Sequence, residues 1–269
     1  MWHFDGDQWQ EIVLGKANGG PVQDYYYLYD VFGTSSRDVW AVGKTSPSAS
    51  DTSIGLVVHF DGAIWSSVTL GPNLYHLGGD VNQIFACGES QIFRLNGLAG
   101  TEDSIDLVLP ESTRTYLSCI TRSGSANPFA TVRENNRSAY NRYYLLSRDT
   151  NYWKTVDTTL TPTDYLWLSP SNALFSTGGS SIRKWSGTEW TTVFQSQIAQ
   201  YAQIFGTSDR NIIAIGGPTT ILNFNGIDWF EMLDFRNKVS SIEQGWTDGK
   251  EVFLLATAQD QTQVIIHGK

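Results

Sequence analysis

The stretch Asp30-Val31-Phe32-Gly33-Thr34-Ser35-Ser36-Arg37-Asp38-Val39-Trp40-Ala41-Val42-Gly43, continued by Leu56-Val57-Val58-His59-Phe60-Asp61-Gly62 and Trp65, decides the fold. Apolar runs of strand length alternate with Gly or Asp-Gly punctuation. They read as three short strands, a, b and c, and the opening of a fourth, d. The same spelling returns at Gln203-Ile204-Phe205-Gly206-Thr207-Ser208-Asp209-Arg210-Asn211-Ile212-Ile213-Ala214-Ile215-Gly216, then Ile221-Leu222-Asn223-Phe224-Asn225-Gly226 and Trp229. Two copies of that length are an internal repeat.

Working outward, the c–d corner recurs five times, as Asp5-Gly6-Asp7-Gln8-Trp9, Asp61-Gly62-Ala63-Ile64-Trp65, Asp149-Thr150-Asn151-Tyr152-Trp153, Ser186-Gly187-Thr188-Glu189-Trp190 and Asn225-Gly226-Ile227-Asp228-Trp229. A period of about 35 to 55 residues built from short strands is the pattern of a β-propeller, in which one four-stranded sheet cannot bury both faces alone and neighbours stack around an axis. Degenerate copies fill the gaps. One uses Val81 to Gly88 and Gln91 to Gly97 without the Trp, one has an expanded middle over roughly 116 to 153, and one uses Ala173 to Gly178 and Ser181 to Gly187. The last copy, Ser241 to His267, stops before its corner, whereas Asp5-Gly6 and Trp9 to Val13 are a corner and an outer strand with no inner strands before them. The expectation is an all-β, six-bladed β-propeller of four-stranded antiparallel blades, a single domain over 1–269, whose sixth blade the N-terminal strand closes. Trp2-His3-Phe4 competes with Val264 to His267 for the third-strand position.

The corners resemble the Asp-box of sialidase-like propellers, and Ser35-Ser36-Arg37-Asp38-Val39-Trp40-Ala41-Val42-Gly43 resembles repeats of bacterial surface propellers and of photosystem II assembly-factor-like propellers. The resemblance runs along nearly the whole chain as a pattern. It lacks the leading Ser of the Asp-box and has a shorter Asp-Gly spacing. It implies the propeller fold, and for sialidase relatives a glycosidase site with an Arg cluster, a Tyr/Glu nucleophile pair and an acid carboxylate.

Composition narrows the function. Charged residues are 17% of the 269 and aromatics 13%, and the formal charge is −9, which opposes a phosphate backbone or an anionic membrane surface. No apolar stretch reaches the length of a membrane helix, and Met1-Trp2-His3 opens on repeat material with no charged n-region, so any export signal is expected to have been removed or never to have existed. Cys87 and Cys119 fit no metal pattern; two buried thiols and a disulfide between neighbouring blades both remain open. The aspartates concentrate in turns, where they cap backbone amides, and His3, His59, His76 and His267 are scattered. No phosphate loop, nucleophile elbow or metal-binding Asp cluster is spelled, so no catalytic residue, metal ligand or cofactor is expected.

Two features exceed the scaffold. A Tyr precedes or opens strand a in five blades: the Tyr25-Tyr26-Tyr27 run with Tyr29, then Tyr75, Tyr116, Tyr165 and Tyr201. Arg133, Arg137 and Arg142 lie in an arginine-rich stretch read as a b–c loop, which shares one propeller face with the starts of the a strands. Tyr27, Tyr75, Tyr116, Tyr165 and Tyr201 would then stack on a ligand while the arginines read negative charge; alternatively the tyrosines wedge blades together and the arginines are a solvated loop. The polar stretch Lys44 to Ser53 reads as a long b–c loop, a mobile flap or a tolerated insertion. The expected function is a non-catalytic, monomeric interaction module, secreted, cell-surface or periplasmic, holding a glycan or an acidic peptide over the channel mouth. A polysaccharide hydrolase or lyase is the alternative, and it needs convergent carboxylates, for which Asp24, Glu134 and Asp164 are the available residues.

Overall fold

The computed structural model describes residues 2–4, 8–12, 25–46, 53–107, 114–120, 128–135, 141–150, 152–197, 199–234 and 238–268. Every element among them is a β-strand. The chain divides into two compact units, Met1–Asp103 and Ser104–Lys269.

In the first unit β1 (Trp2–Phe4) and β2 (Trp9–Glu11) form a hairpin. A four-stranded meander follows, β3 (Tyr25–Ser35), β4 (Asp38–Ser46), β5 (Ile54–Phe60) and β6 (Trp65–Thr69), and then β7 (Leu74–Gly79), β8 (Ile84–Gly88), β9 (Ile92–Asn96) and the start of β10 (Ala99–Asp106). Trp40, Val42 and Val57 of one meander pack with Leu74, Ala86 and Phe93 of the next. Sheets in contact bury the apolar face that neither covers alone.

In the second unit β11 (Arg114–Ile120), β12 (Phe129–Asn135), β13 (Arg142–Asp149) and β14 (Tyr152–Thr159) form a meander, and Ser104–Asp106 of β10 lie parallel to Tyr152–Lys154. Two complete meanders follow, β15 (Tyr165–Leu168) to β18 (Trp190–Gln195) through β16 (Leu174–Gly178) and β17 (Ser181–Trp185), and β19 (Tyr201–Ser208) to β22 (Trp229–Asp234) through β20 (Asn211–Gly216) and β21 (Thr220–Phe224). The last sheet has three strands, β23 (Val239–Thr247), β24 (Val252–Ala258) and β25 (Gln263–Gly268).

The corners have the expected turn. Asp61 Oδ1 accepts from the Ala63 and Ile64 amides, both at 2.9 Å; Asn225 Oδ1 does the same for Ile227 and Asp228, and Ser186 Oγ for Thr188 and Glu189. Gly62, Gly187 and Gly226 sit at φ of 90°, 103° and 91°, a region that disfavours a Cβ. The tryptophan after each corner faces the residue before it, as in Phe60↔Trp65, Trp185↔Trp190 and Phe224↔Trp229. Trp65, Trp190 and Trp229 are half-buried rather than buried; Trp153 is fully buried, and the Trp9 side chain lies outside the described residues.

A second repeat is invisible in the spelling. Strand a and strand b share a register break at the same place in five meanders, between Leu28 and Asp30, Leu74 and His76, Leu117 and Cys119, Tyr201 and Gln203, and Ile242 and Gln244. A bulge inserts one residue and re-aims it. The inserted residues are Tyr29, Tyr75, Ser118, Ala202 and Glu243, and the residue before each takes a core position.

Candidate functional site

In each unit the end of the sheets where the a strands start is a candidate face, described separately. In the first unit β3 runs past its bulge, pairing Tyr25, Tyr26 and Tyr27 with Ser46, Thr45 and Lys44. Lys44, Thr45 and Ser46 are therefore strand rather than flap, and residues 47–52 of the expected loop lie outside the described residues. Tyr27 is 55% exposed, and Lys44 Nζ lies 5.5 Å from its ring centre. Tyr29 is 38% exposed and its ring centre is 5.2 Å from that of Tyr75, tilted by 37°. Both are bulge residues of their strands, which brings them together. Asn73 Nδ2 donates to Tyr75 Oη at 3.4 Å. Tyr29, Lys44 and Asn73 were missed as site residues because a one-residue bulge leaves no mark in an apolar pattern.

In the second unit Arg133 and Arg142 lie on strands, not in a loop: Arg133 pairs with Tyr143, and Glu134 with Arg142. Arg142 is exposed and Arg133 half-buried. Arg137 lies outside the described residues, as does the Tyr116 side chain, although the Tyr116 backbone pairs with Arg133. Tyr165 is half-buried at the start of β15. Tyr201, only 3% exposed, occupies the core position before its bulge that Leu74 and Leu117 hold in their strands, and its ring packs edge-on to Phe194. It presents no face for stacking. The five tyrosines do not share one register, so they do not form the equivalent ring that repeat spelling suggests.

The acidic residues of this face are tied down. Tyr144 Oη donates to Glu134 Oε2 at 2.6 Å, both side chains being buried. Burial, then the Glu134 hydrogen bond, pushes the Tyr144 phenol above its ordinary pKa, with Arg142 pulling the other way. That is the reverse of an activated phenolate nucleophile. Burial also raises the Asp164 carboxyl, against the pull of Arg133, Arg183 and the Gly179 amide. Arg183 is buried; its Nη2 donates to the Pro162 carbonyl at 2.9 Å and to Thr163 Oγ1, while its guanidinium lies 5.0 Å from the Trp190 ring centre. Satisfied in this way, Arg183 clamps the entry of β15 to β17, a structural task. Among the described residues no three His, Cys, Asp or Glu side chains gather to hold a metal ion, and no helix is long and apolar enough to cross a membrane.

The turn end of the first meander carries a half-buried polar cluster. Thr34 Oγ1, Trp40 Nε1 (3.1 Å) and His59 Nε2 (2.7 Å) converge on Asp38, and the His59 ring stacks on Trp40 with centres 3.8 Å apart. The His59 position is thus a packed, hydrogen-bonded one. Cys87 is fully buried, and the Cys119 side chain lies outside the described residues.

The sequence matches no protein-family model and no curated protein. Solved structures do resemble it. A Pyrococcus horikoshii acylaminoacyl peptidase aligns over 92% of this chain and 45% of its own at 10% identity, with a TM-score of 0.63. The WD40 β-propeller domain of Doa1 aligns over 89% and 81% at 10% identity, with a TM-score of 0.56. YCF48 bound to D1 peptide aligns over 90% and 91% at 14% identity, with a TM-score of 0.46, too loose an overlap to argue from. This chain spans under half the length of the peptidase. At such identities the likeness shows the fold alone, and that fold is the β-propeller.

Proposed function

We propose that the chain is a six-bladed, single-domain propeller that binds a glycan or an acidic peptide without chemistry, at the end where its a strands start. The observation that carries this reading is two aromatic contacts in the first unit, exposed Tyr27 with Lys44 over its ring and exposed Tyr29 against half-buried Tyr75, held on strands rather than loops. Large rings with polar tips and little rotamer freedom make good contact surfaces, and singly scattered exposed aromatics would not. Arg142, exposed on the second unit, adds a cation at the same end of its sheet. Resemblance to sialidase-like propellers remains at the level of the corners, and the Tyr144–Glu134 pair, with its phenol held protonated, gives the hydrolase reading no support.

The test is hydrogen exchange of the full chain with and without an acidic glycan and, separately, a glutamate-rich peptide. Protection is expected over Tyr25–Leu28, Lys44–Ser46 and residues 133–135 and 142–144, and binding should weaken with added salt, since exposed charges are screened over about 10 Å at 0.1 M. Protection confined to the turns around Gly62 and Gly226, or affinity that survives Tyr27→Ala with Arg142→Ala, would overturn the proposal.

A further inference from the structure

We infer that the tyrosine cluster of the first unit is the subsite for a pyranose ring that carries a carboxylate, a uronate residue of an acidic glycan; this rests on the binding reading above and narrows its ligand. Every group in the cluster restricts the choice. Tyr29 and Tyr75 meet at 5.2 Å and 37°, an open V rather than a closed stack, so a ring face remains uncovered. Tyr27 and Tyr29, two residues apart on β3, are exposed, and Tyr75 is half-buried. The C–H face of a sugar ring is flat and weakly polar, and it suits the negative face of a phenol ring.

The polar handles are donors. Lys44 offers an ammonium, anchored at 5.5 Å from the Tyr27 ring and directly across the strand pair from it. Tyr75 Oη accepts from Asn73, so its own proton is the part left to donate. A ligand that meets an ammonium and a phenol proton presents acceptors, and the ammonium favours a charged one. A neutral sugar covers the rings and leaves Lys44 unmatched; a glutamate-rich strand matches Lys44 and leaves the rings bare. A uronate supplies ring and carboxylate in one residue. Because the chain carries a net charge of −9, such an anion is held by this local cation and not by the field of the whole protein, so binding should be weak and sensitive to salt.

Calorimetric titration of the full chain with an oligogalacturonate, a neutral galactose oligomer of equal length and a glutamate-rich peptide tests the assignment. The oligogalacturonate is expected to bind most tightly. Lys44→Gln should weaken it about fivefold, the upper end for an exposed charge pair, and leave the neutral oligomer unchanged. Tyr29→Ala should weaken both sugars about tenfold. Tyr75→Phe keeps the ring and packing and should weaken the oligogalacturonate alone, so the test does not depend on one variant folding. The assignment fails if Lys44→Gln weakens both sugars equally, or if neither sugar binds. Binding of the peptide alone, lost on Tyr27→Ala with Arg142→Ala, would sink the uronate while leaving the binding face; binding of any probe that ignores all these variants would sink both.

Discussion

Asp38 shows how one side chain converts a repeat spelling into stability. It accepts from Thr34, Trp40 and His59, each on a different stretch of one sheet, and so ties strands a, b and c together at the turn end. Burial pushes its carboxyl upward, but the Thr34 and His59 hydrogen bonds, the His59 charge and the Trp40 bond outweigh it, and the net shift is below the ordinary value. A carboxylate whose pKa is depressed on folding contributes stability above its unfolded pKa of about 3.9, and loses that contribution as the pH falls through the folded value. Asp38→Asn removes the titration and keeps the shape. The stability difference between the parent and this variant should shrink as the pH falls below about 4. Asp61, Asp149, Asp209, Asp248 and Asp260 are also depressed, but they titrate in both proteins and cancel in the difference. Urea midpoints collected across that pH series check it, and a difference unchanged between pH 6 and pH 3 would remove Asp38 from the account.

At the scale of the strand, Gly43 of the Ala41-Val42-Gly43 run and its counterparts Gly88, Gly178 and Gly216 are packing requirements. A Cβ on Gly43 would sit 1.8 Å from the Tyr27 carbonyl oxygen, on Gly88 2.3 Å from that of Asn73, on Gly178 2.1 Å from that of Pro162, and on Gly216 2.9 Å from that of Gln200. Backbone fills the space at Gly43, Gly88 and Gly178, and at Gly216 the Tyr201 ring shares it, so these positions on strand b leave no room for a Cβ beside strand a. Gly43→Ala should therefore lower stability by about 1–3 kcal/mol, the range for overpacking. Gly268→Ala, with nothing within 4 Å of its Cβ, should stay within about 0.5 kcal/mol. Thermal and urea unfolding of the pair would decide; equal losses would mean that close approach is not what selects glycine. The strands, corners and meanders were legible because apolar alternation and Asp-Gly punctuation are local signals. The bulges were not, because Tyr29 and Tyr75 look like any other tyrosine until the register with strand b is known. That is why Tyr201, which spells like an anchor, is core, and why Arg133 and Glu134, which spell like loop, are strand.

The whole molecule depends on how its two incomplete pieces are completed. The β1–β2 hairpin has the c–d pairing, Phe4↔Trp9, that Phe60↔Trp65 and Phe224↔Trp229 have, with no a and b strands of its own. The β23–β25 sheet has a, b and c, and among the described residues β25 pairs on one side only. Beside it, within the second unit, lies a cavity of about 310 Å³ lined by Ile221, Met232, Val252, Leu254 and Ile266. In the preceding sheet the corner tryptophan, Trp229, reaches Phe194 of the neighbouring outer strand. If β2 supplies the fourth strand of this last sheet, as the proposed six-bladed ring would require, the repeat register Val57↔Val68 would set Ile265 opposite Ile12. Ile12→Cys with Ile265→Cys should then form an intramolecular disulfide on mild oxidation, because paired strands bring Cβ atoms to about 4.5–5.5 Å, close to disulfide geometry. Peptide mapping would identify the bond, and it should raise the melting temperature by restraining a loop that spans nearly the whole chain. Cross-linking between molecules, or none at all while Val57→Cys with Val68→Cys cross-links readily, would refute closure by the N-terminal strand.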